Sequence, residues 1–394
     1  MFDFLFKYLG GNFYDNPMDI KDLSLKAQQM IMLSINGLTK IVDNHGHMCG
    51  IGDNELFYVN PCFFSLWYPF KKLHYKVFES ACGVRNCSDN YEKNIKYLDR
   101  LRSLINNINV ILPYQMNLLA MTFWRDDDGT INKLKTGIYC SNFYVNAVTE
   151  KNKNNLSCTV SIHPYESDAI EQINYWYEKG IRCIKWLPNS MNIDPSSEKC
   201  KAFYEHVKKL NMKLLIHVGH EHSVDSGYLN QEYGNPLRLR YPLDIGVKIV
   251  AAHCASEGAS LDTDADTNPK TDNFDLFLRL MNEKKYEGLL FADISCLLGF
   301  RRIGKPLTTM LDRTDLHHRL LYGSDYPVPC INFVIQTKAL RKHGYIEFDD
   351  IEPLNEIYYS NPLLFNFVVS RVVKSPEHGN KFHNSMFERS IAEL

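Results

Sequence analysis

The sequence predicts an α/β fold: a (β/α)8 TIM barrel of parallel strands with an N-terminal arm and a long insertion after the first strand. Three observations carry the prediction. Eight short apolar runs recur along the chain, and each ends in a polar residue of chemical interest. Segments of helical period lie between them, and strand alternating with helix is the mark of a parallel sheet. The landmarks from the third run onward are His163, Lys185, His217, His253, Asp293 and Asp325, spaced close to the roughly 30 residues of a βαβ unit. Strands buried on both faces read as near-continuous apolar runs, as these do.

In chain order, residues 1–38 are the arm, 39–373 the barrel with its insertion at about 48–115, and 374–394 a C-terminal tail. MFDFLFKYLGG reads as an amphipathic arm, because Asp3 sits where a secretion signal needs positive charge and Lys7 breaks a short apolar run. TKIVDNHGH is the first strand and ends in His45 and His47. In the insertion, positions 57–78 hold nine aromatics in 22 residues, against 12% in the whole chain. That density suits a lid over the mouth, a subunit interface, or a membrane-surface contact helped by Lys71, Lys72 and Lys76. NLLAMTFWRDDDG leads to Arg125, where Asp126, Asp127 and Asp128 before Gly129 read as a turn. SCTVSIHPYE leads to His163. Ala169, Ile170, Ile173, Trp176 and Tyr177 then share a helix face, with Ser167 as N-cap and Gly180 just past the end. IRCIKWLP carries Lys185, and a weaker stripe of Phe203, Val207 and Leu210 follows. KLLIHVGHEH carries His217, and VKIVAAHCAS carries His253. Phe274, Phe277, Leu278 and Met281 make a helix opened by Asn273. LLFADISC carries Asp293 and RLLYGSDYP carries Asp325. Ile331, Val334 and Leu340 lie in a last helix closed by Gly344. Beyond Val373 the tail is polar and expected to be partly exposed.

Composition narrows the function. Apolar residues make up 45% and charged residues 23%, which excludes a disordered or fibrous chain. A net charge of −2 gives no footprint for nucleic acid. No apolar stretch reaches the roughly 18 residues of a membrane span. Eleven cysteines, an odd number with no C-x-x-C pair, point to reduced, mostly buried thiols and a cytoplasmic protein. The expected partner is a small-molecule substrate, and a homo-oligomer is compatible with the chain.

The placement of the polar residues is the strongest signal. In this barrel type, catalytic groups stand at the C-terminal ends of several strands. Here histidines, a lysine and an aspartate end strands 1, 4, 5, 6 and 8. A strand has period 2, so His45 and His47 project to one side, into the mouth. With 14 histidines in the chain a lone H-x-H is weak, and a second occurs at His220 and His222. The whole set, an H-x-H followed by two later histidines and an aspartate on separate strand ends, points to a metal site.

With these residues in view, DNHGH, KWLPNS, LLIHVGHEH, VAAHCAS and YGSDYP resemble the amidohydrolase superfamily of metal-dependent hydrolases, in the family's order, over about residues 38–367. The resemblance implies that His45 and His47 bind metal from strand 1, His217 from strand 5, His253 from strand 6 and Asp325 from strand 8. It also implies that Lys185 of CIKWLP stands where some members carry a carbamylated lysine bridging two metals; a plain lysine bonding the substrate or a carboxylate is the alternative.

The chemistry of the residues agrees. Imidazoles with a carboxylate suit zinc best, with manganese, iron or nickel as rivals, and one or two ions. Such an ion lowers the pKa of its water to about 7. Asp325 is typed to accept the water's proton, and His253 either ligates a second ion or polarises a carbonyl. His163, Arg301 and Arg302 are candidate substrate contacts, the arginines as a bidentate clamp for a carboxylate or as a solvated pair. His220, Glu221 and His222 line the pocket, cap the loop, or form a compact metal site of their own. The expected activity is hydrolysis of a small molecule at a carbonyl carbon (amide, ester or lactone) by metal-activated water. The rivals are a metal-dependent decarboxylase of the same superfamily and a non-catalytic binding protein on the same barrel.

Overall fold

The computed structural model describes residues 8–10 and 16–394. The arm motif MFDFLFKYLGG therefore lies outside the described residues except at 8–10. Eight parallel strands follow one another: β1 Ile41–His47, β2 Tyr114–Leu119, β3 Leu156–Thr159, β4 Cys183–Trp186, β5 Lys213–His217, β6 Lys248–Ala252, β7 Leu290–Asp293 and β8 Leu320–Leu321. They form two parallel sheets, β1-β2-β3 and β4-β5-β6-β7-β8, in which every strand pairs with its neighbours in the chain. The sheets touch at two seams. At one, Val160 forms a parallel bridge with Ile184, and Lys185 N donates to Val160 O at 2.7 Å. At the other, Gly46 bridges Tyr326, Asn44 N donates to Tyr322 O at 2.9 Å, and Asp325 N donates to His45 O at 2.7 Å.

Strand periodicity divides the core. Leu214, Ile216, Ile249 and Ala251 pack with helix residues such as Phe277 in the large cluster. Their alternates Leu215, Val250 and Ala252 join Leu119, Cys183, Phe291 and Leu321 in a second cluster, on the opposite face of the sheets. Both faces are buried, which is why the runs are apolar throughout.

Each strand is followed by at least one helix, the first by two and the last by three. Among the described residues the α-helices of six residues or more are α1 Leu25–Ile35 (before β1), α2 Pro69–Ala81, α3 Asn90–Asn109, α4 Asn142–Glu150, α5 Ala169–Glu178, α6 Lys201–Lys209, α7 Arg240–Ile245, α8 Asn273–Asn282, α9 Lys305–Asp312, α10 Thr337–Lys342, α11 Ile351–Ser360 and α12 Pro362–Val372. Their starts follow from capping: the side chains of Ser24, Asp89, Ser141 and Asn361 accept from free backbone N–H groups of α1, α3, α4 and α12. Helix α5 buries Ala169, Ile173 and Trp176 and ends before Gly180, but starts after Asp168 rather than at a Ser167 cap. The Asp168 carboxylate instead accepts from Gln172 Nε2 at 3.0 Å. The expected last helix is shorter than its stripe. Ile331 and Val334 precede α10 in a turn set up by Pro327 and Pro329, and they are apolar because they line a cavity.

Two further segments shape the molecule. Between β1 and α3, strand Phe57–Val59 pairs antiparallel with Ile138–Cys140, and α2 follows. The tail is exposed in one part and seated in the core in another. Residues 376–379 are exposed, but Phe382, Met386, Phe387 and Ile391 are buried. Ile391 joins the cluster of alternate strand residues, while Lys213 Nζ donates to Ala392 O at 3.2 Å and Lys248 Nζ to Leu394 O at 2.7 Å. Among the described residues no helix is long and apolar enough to cross a membrane. The eleven cysteines are free thiols, most of them buried.

Candidate metal centre and substrate cavity

The chain crowds its histidines at one end of the strands through small residues. A Cβ on Gly46, between the two histidines of β1, would lie 2.5 Å from Met116 Sδ, and one on Gly323 would lie 2.7 Å from His45 Cβ. Only glycine lets β2 and the segment after β8 close on this strand end. Non-glycine residues sit in the left-handed region directly after β6, β7 and β8: His253 (φ 60°), Cys254 (φ 50°), Ala255 (φ 49°), Cys296 (φ 57°) and Asp325 (φ 61°). Each costs of order 1 kcal/mol or more, and such strain collects at functional sites.

His45 is fully buried and its two nitrogens are distinct. Nδ1 lies 2.8 Å from Asp293 Oδ2, so it carries the proton and donates. Nε2 then presents a lone pair, 3.3 Å from His47 Nε2, 3.4 Å from Asp325 Oδ1 and 3.2 Å from Lys185 Nζ. His47 Nε2 is itself 3.2 Å from Asp325 Oδ1. The His253 ring stacks on His45 at 5.1 Å between centroids, with its Nδ1 held by Ser295 Oγ at 2.8 Å. Burial pushes the pKa of His45, His217 and His253 down, which favours their neutral forms. Burial disfavours charge on Asp325, but His45, His47 and His253 around it outweigh burial and hold its carboxyl well below the usual range. Its Oδ2 accepts from Cys296 Sγ at 2.9 Å. Lys185 is buried and its pKa is pushed down, against the pull of Asp293 and Asp325.

The donor set fits a divalent cation. Imidazole lone pairs facing each other at 3.3 Å beside an ionised carboxylate repel unless a proton or cation lies among them. Among the described residues, the compact buried group whose donor atoms all lie within 4.8 Å of one another is His45, His253 and Asp325. His47 joins through its contacts with His45 and Asp325. His217 borders the group, its ring 5.1 Å from that of His253, with Nδ1 3.4 Å from Glu221 Oε2 and Nε2 3.2 Å from His220 O.

Sequence reasoning left Asp293 out of the site, although it is the landmark of β7. Its carboxylate accepts from His45 Nδ1, from His253 N at 3.0 Å, from Ser295 N at 3.1 Å and from Ser295 Oγ. It therefore ties β1, β6 and β7 together. Burial opposes its charge, yet these partners hold the carboxyl well below the usual range. Glu257 was also missed, because no strand ends there. It accepts from Arg301 Nη1 at 2.9 Å and Arg302 Nη2 at 3.0 Å, and lies 3.4 Å from His222 Nε2. The two arginines are thus neither a solvated pair nor an equal clamp. Arg301 is 57% exposed, while the Arg302 side chain is 11% exposed and its Nη1 is buried without a partner.

His163 is not brought to the centre. β3 stops at Thr159, and the next residues carry His163 under the turn at Pro188–Met191. There Nε2 donates to Met191 O at 2.8 Å and Nδ1 accepts from Tyr165 N at 3.2 Å, so neither nitrogen is left for a substrate. Burial pushes its pKa down to about 3. His220, Glu221 and His222 do not converge into a metal site of their own: His220 Nε2 donates to Ala259 O, Glu221 lies against His217, and His222 turns to Glu257. Arg125 pairs with Glu166 at 3.1 Å beside the turn that closes at Gly129.

A cavity of about 500 Å³ opens over the centre. Its floor holds His47, Lys185, His217, His253 and Asp325, and one wall holds Glu257, Arg301 and Arg302. The segment at 57–82 forms another wall with Phe63, His74, Tyr75 and Phe78, and Lys71 Nζ donates to Asp225 O at 2.7 Å across the mouth. Leu66, Trp67 and Phe70 of the same segment face outward, 81%, 90% and 84% exposed.

No protein-family model matches the chain, and no curated protein matches it. Solved structures share its outline weakly. An amidohydrolase from Burkholderia multivorans with bound zinc is 12% identical at a TM-score of 0.43, over 82% of this chain and 92% of its own. A 5-carboxyvanillate decarboxylase from Sphingomonas paucimobilis is 10% identical at 0.43, over 85% and 99%. The 5-carboxyvanillate decarboxylase of Novosphingobium aromaticivorans, solved with manganese, is 8% identical at 0.44, over 89% and 96%.

Proposed function

We propose that this chain is a metal-dependent hydrolase of the amidohydrolase superfamily, acting on a small molecule at an amide, ester or lactone carbonyl. In this reading the two sheets close into a (β/α)8 barrel spanning residues 39–373, with the arm before it and the tail after it. The observation that carries the proposal is the convergence of His45 Nε2, His47 Nε2 and Asp325 Oδ1 at one strand end, with the other nitrogen of His45 committed to Asp293. His45, His47, His253 and Asp325 would hold the ion, zinc by donor type, and His217 would join them by giving up the contact of its Nε2 with His220 O. A bound ion supplies Lewis acidity, lowering the pKa of a water and polarising a carbonyl.

The protein's own groups do the rest. Asp325 stays ionised, so a carboxylate oxygen can take the water's proton and pass it to the leaving group. His253 Nε2 faces the cavity side of its ring because Nδ1 is tied to Ser295, and can hold a substrate oxygen. Lys185, buried next to His45 Nε2, suits a bridging carbamate with two ions or a donor to substrate with one. The free Nη1 of Arg302 can hold an anionic group of the substrate. That same feature supports a second reading, decarboxylation, in which Arg302 anchors a carboxylate. The free, mostly buried thiols support a reducing compartment, the cytoplasm.

Turnover in ¹⁸O-labelled water separates the two reactions. Hydrolysis places the label in the product acid. Carbon dioxide release with an unlabelled product would overturn the hydrolase reading and favour the second.

A further inference from the structure

Two stretches outside the strand–helix alternation supply apolar side chains to one cavity. Phe63, Tyr75 and Phe78 come from the segment between β1 and α3, and Ile331, Phe333 and Val334 from the turn between β8 and α10. Ile331 also joins the main core, with Phe78 and Val334 packed against it, and Phe63 clusters with Val59 and Cys62 beside Tyr75, so both stretches are anchored in the fold as well as facing the cavity. Phe63 and Ile331 are 3% and 4% exposed and still line the cavity. The Lys71–Asp225 contact fixes α2 against the loop after β5, so this wall is built in place. On the aromatic wall the carboxylate of Glu79 is matched by Lys76 at 2.5 Å and Lys93 at 2.6 Å, whereas Arg302 keeps a nitrogen without a protein partner.

We propose that the 57–82 segment and the 328–334 turn form a specificity chamber, and that the substrate is an amphipathic acid whose apolar body packs between them. The inference rests on the reading of this cavity as the substrate site. Its physical basis is the mismatch of sizes. A cavity of about 500 Å³ lies within the usual range for sites that enclose a drug-sized ligand, and a molecule of a few polar atoms would leave its aromatic walls wet. The anionic group would sit by Arg302, where a buried guanidinium nitrogen has no protein partner. The turn abuts the arginine segment, since Phe300 N donates to Val334 O at 2.9 Å, so the acid head would sit by Arg302 at the edge of the chamber and the apolar body would run on towards Phe63, Tyr75 and Phe78.

The test uses the full chain reconstituted with zinc, and straight-chain alkanoates from acetate to octanoate as probes, with binding followed by calorimetry. Each added methylene should tighten binding about 3- to 4-fold, as complete burial of a CH₂ does. Phe78→Ala should flatten that dependence, and Val334→Trp should stop it at a shorter chain. Trp67→Ser/Phe70→Ser, which alters the outward face, should leave the dependence intact. Affinity independent of chain length in wild type would overturn the proposal, as would a dependence lost in the Trp67→Ser/Phe70→Ser variant but kept in both chamber variants. The experiment needs no turnover, so a steep dependence in a protein that hydrolyses nothing would sustain the chamber while the hydrolase reading fell.

Discussion

Asp325 combines an ionised carboxylate with a left-handed backbone, and both properties shape what a substitution does. Asparagine tolerates φ 61° and keeps the side-chain shape, but it cannot accept a proton. Asp325→Asn should therefore fold, retain substantial metal, and lose turnover by about 10²-fold or more. Turnover close to wild type would assign the proton to another group. Asp293 acts one step further from the substrate. Four donors converge on its carboxylate, and an amide would set its own N–H groups against at least one of them. Asp293→Asn should release the His45 tautomer and weaken metal binding about 10- to 100-fold, the scale for groups that orient a ligand. Calorimetric metal titration, with the ¹⁵N shifts of His45, reads both effects. His163 carries a pH dependence unconnected with the metal. Its folded pKa of about 3 lies below the ordinary 6.5, so the unfolded chain takes up the proton first. Stability is full above pH 6.5 and falls as pH drops towards 3, by about 2 kcal/mol between 6.5 and 5. In urea titrations at pH 7 and pH 5, His163→Gln should narrow the difference between the two by about that amount.

At the scale of elements, the tail and the insertion show how segments outside the alternation complete it. Ile391 is the tail's contribution to the cluster that β2, β4, β5, β6, β7 and β8 line. Removing its side chain leaves a void that the surrounding strands cannot close, since each is paired on both edges or bonded at a seam. Ile391→Ala should cost about 2–4 kcal/mol in unfolding free energy, the range for large-to-alanine changes in a core. A loss below about 0.5 kcal/mol would mean that the tail is loosely docked. The insertion divides its aromatics between two jobs. Phe63, Tyr75 and Phe78 turn to the cavity while Leu66, Trp67 and Phe70 turn away. Its inward half forms a wall of the cavity.

For the whole molecule, the proposed metal centre would couple folding to metal. The candidate ligands come from β1 and from the ends of β6 and β8, so they are brought together only in the folded chain. An ion that binds the folded state stabilises it by RT ln(1 + [M]/Kd), about 2.7 kcal/mol at 100 times Kd. Metal removal should lower the thermal midpoint of wild type. His45→Ala/His47→Ala should contain much less metal by elemental analysis and show no such shift on chelation. Equal metal content in both proteins would remove the assignment.

The order of strands, their burial on both faces, and the landmarks His45, His47, Lys185, His217, His253 and Asp325 were legible because they depend on local pattern: apolar runs of strand length, each closed by a polar residue. Asp293 was visible as a strand end but not as a site residue, because its role comes from which strands stand beside β7. Glu257, the unpartnered nitrogen of Arg302, the withdrawal of His163 into a loop and the seating of Ile391 had no local signal at all. Each depends on contacts between residues far apart in the chain, and such contacts are settled by how the sheets and loops pack. The sequence by itself determined the alternation and the chemical types at the strand ends. Only the tertiary structure decided which of those groups face one another, since a side chain's direction beyond its strand is set by the neighbours that fill the space around it.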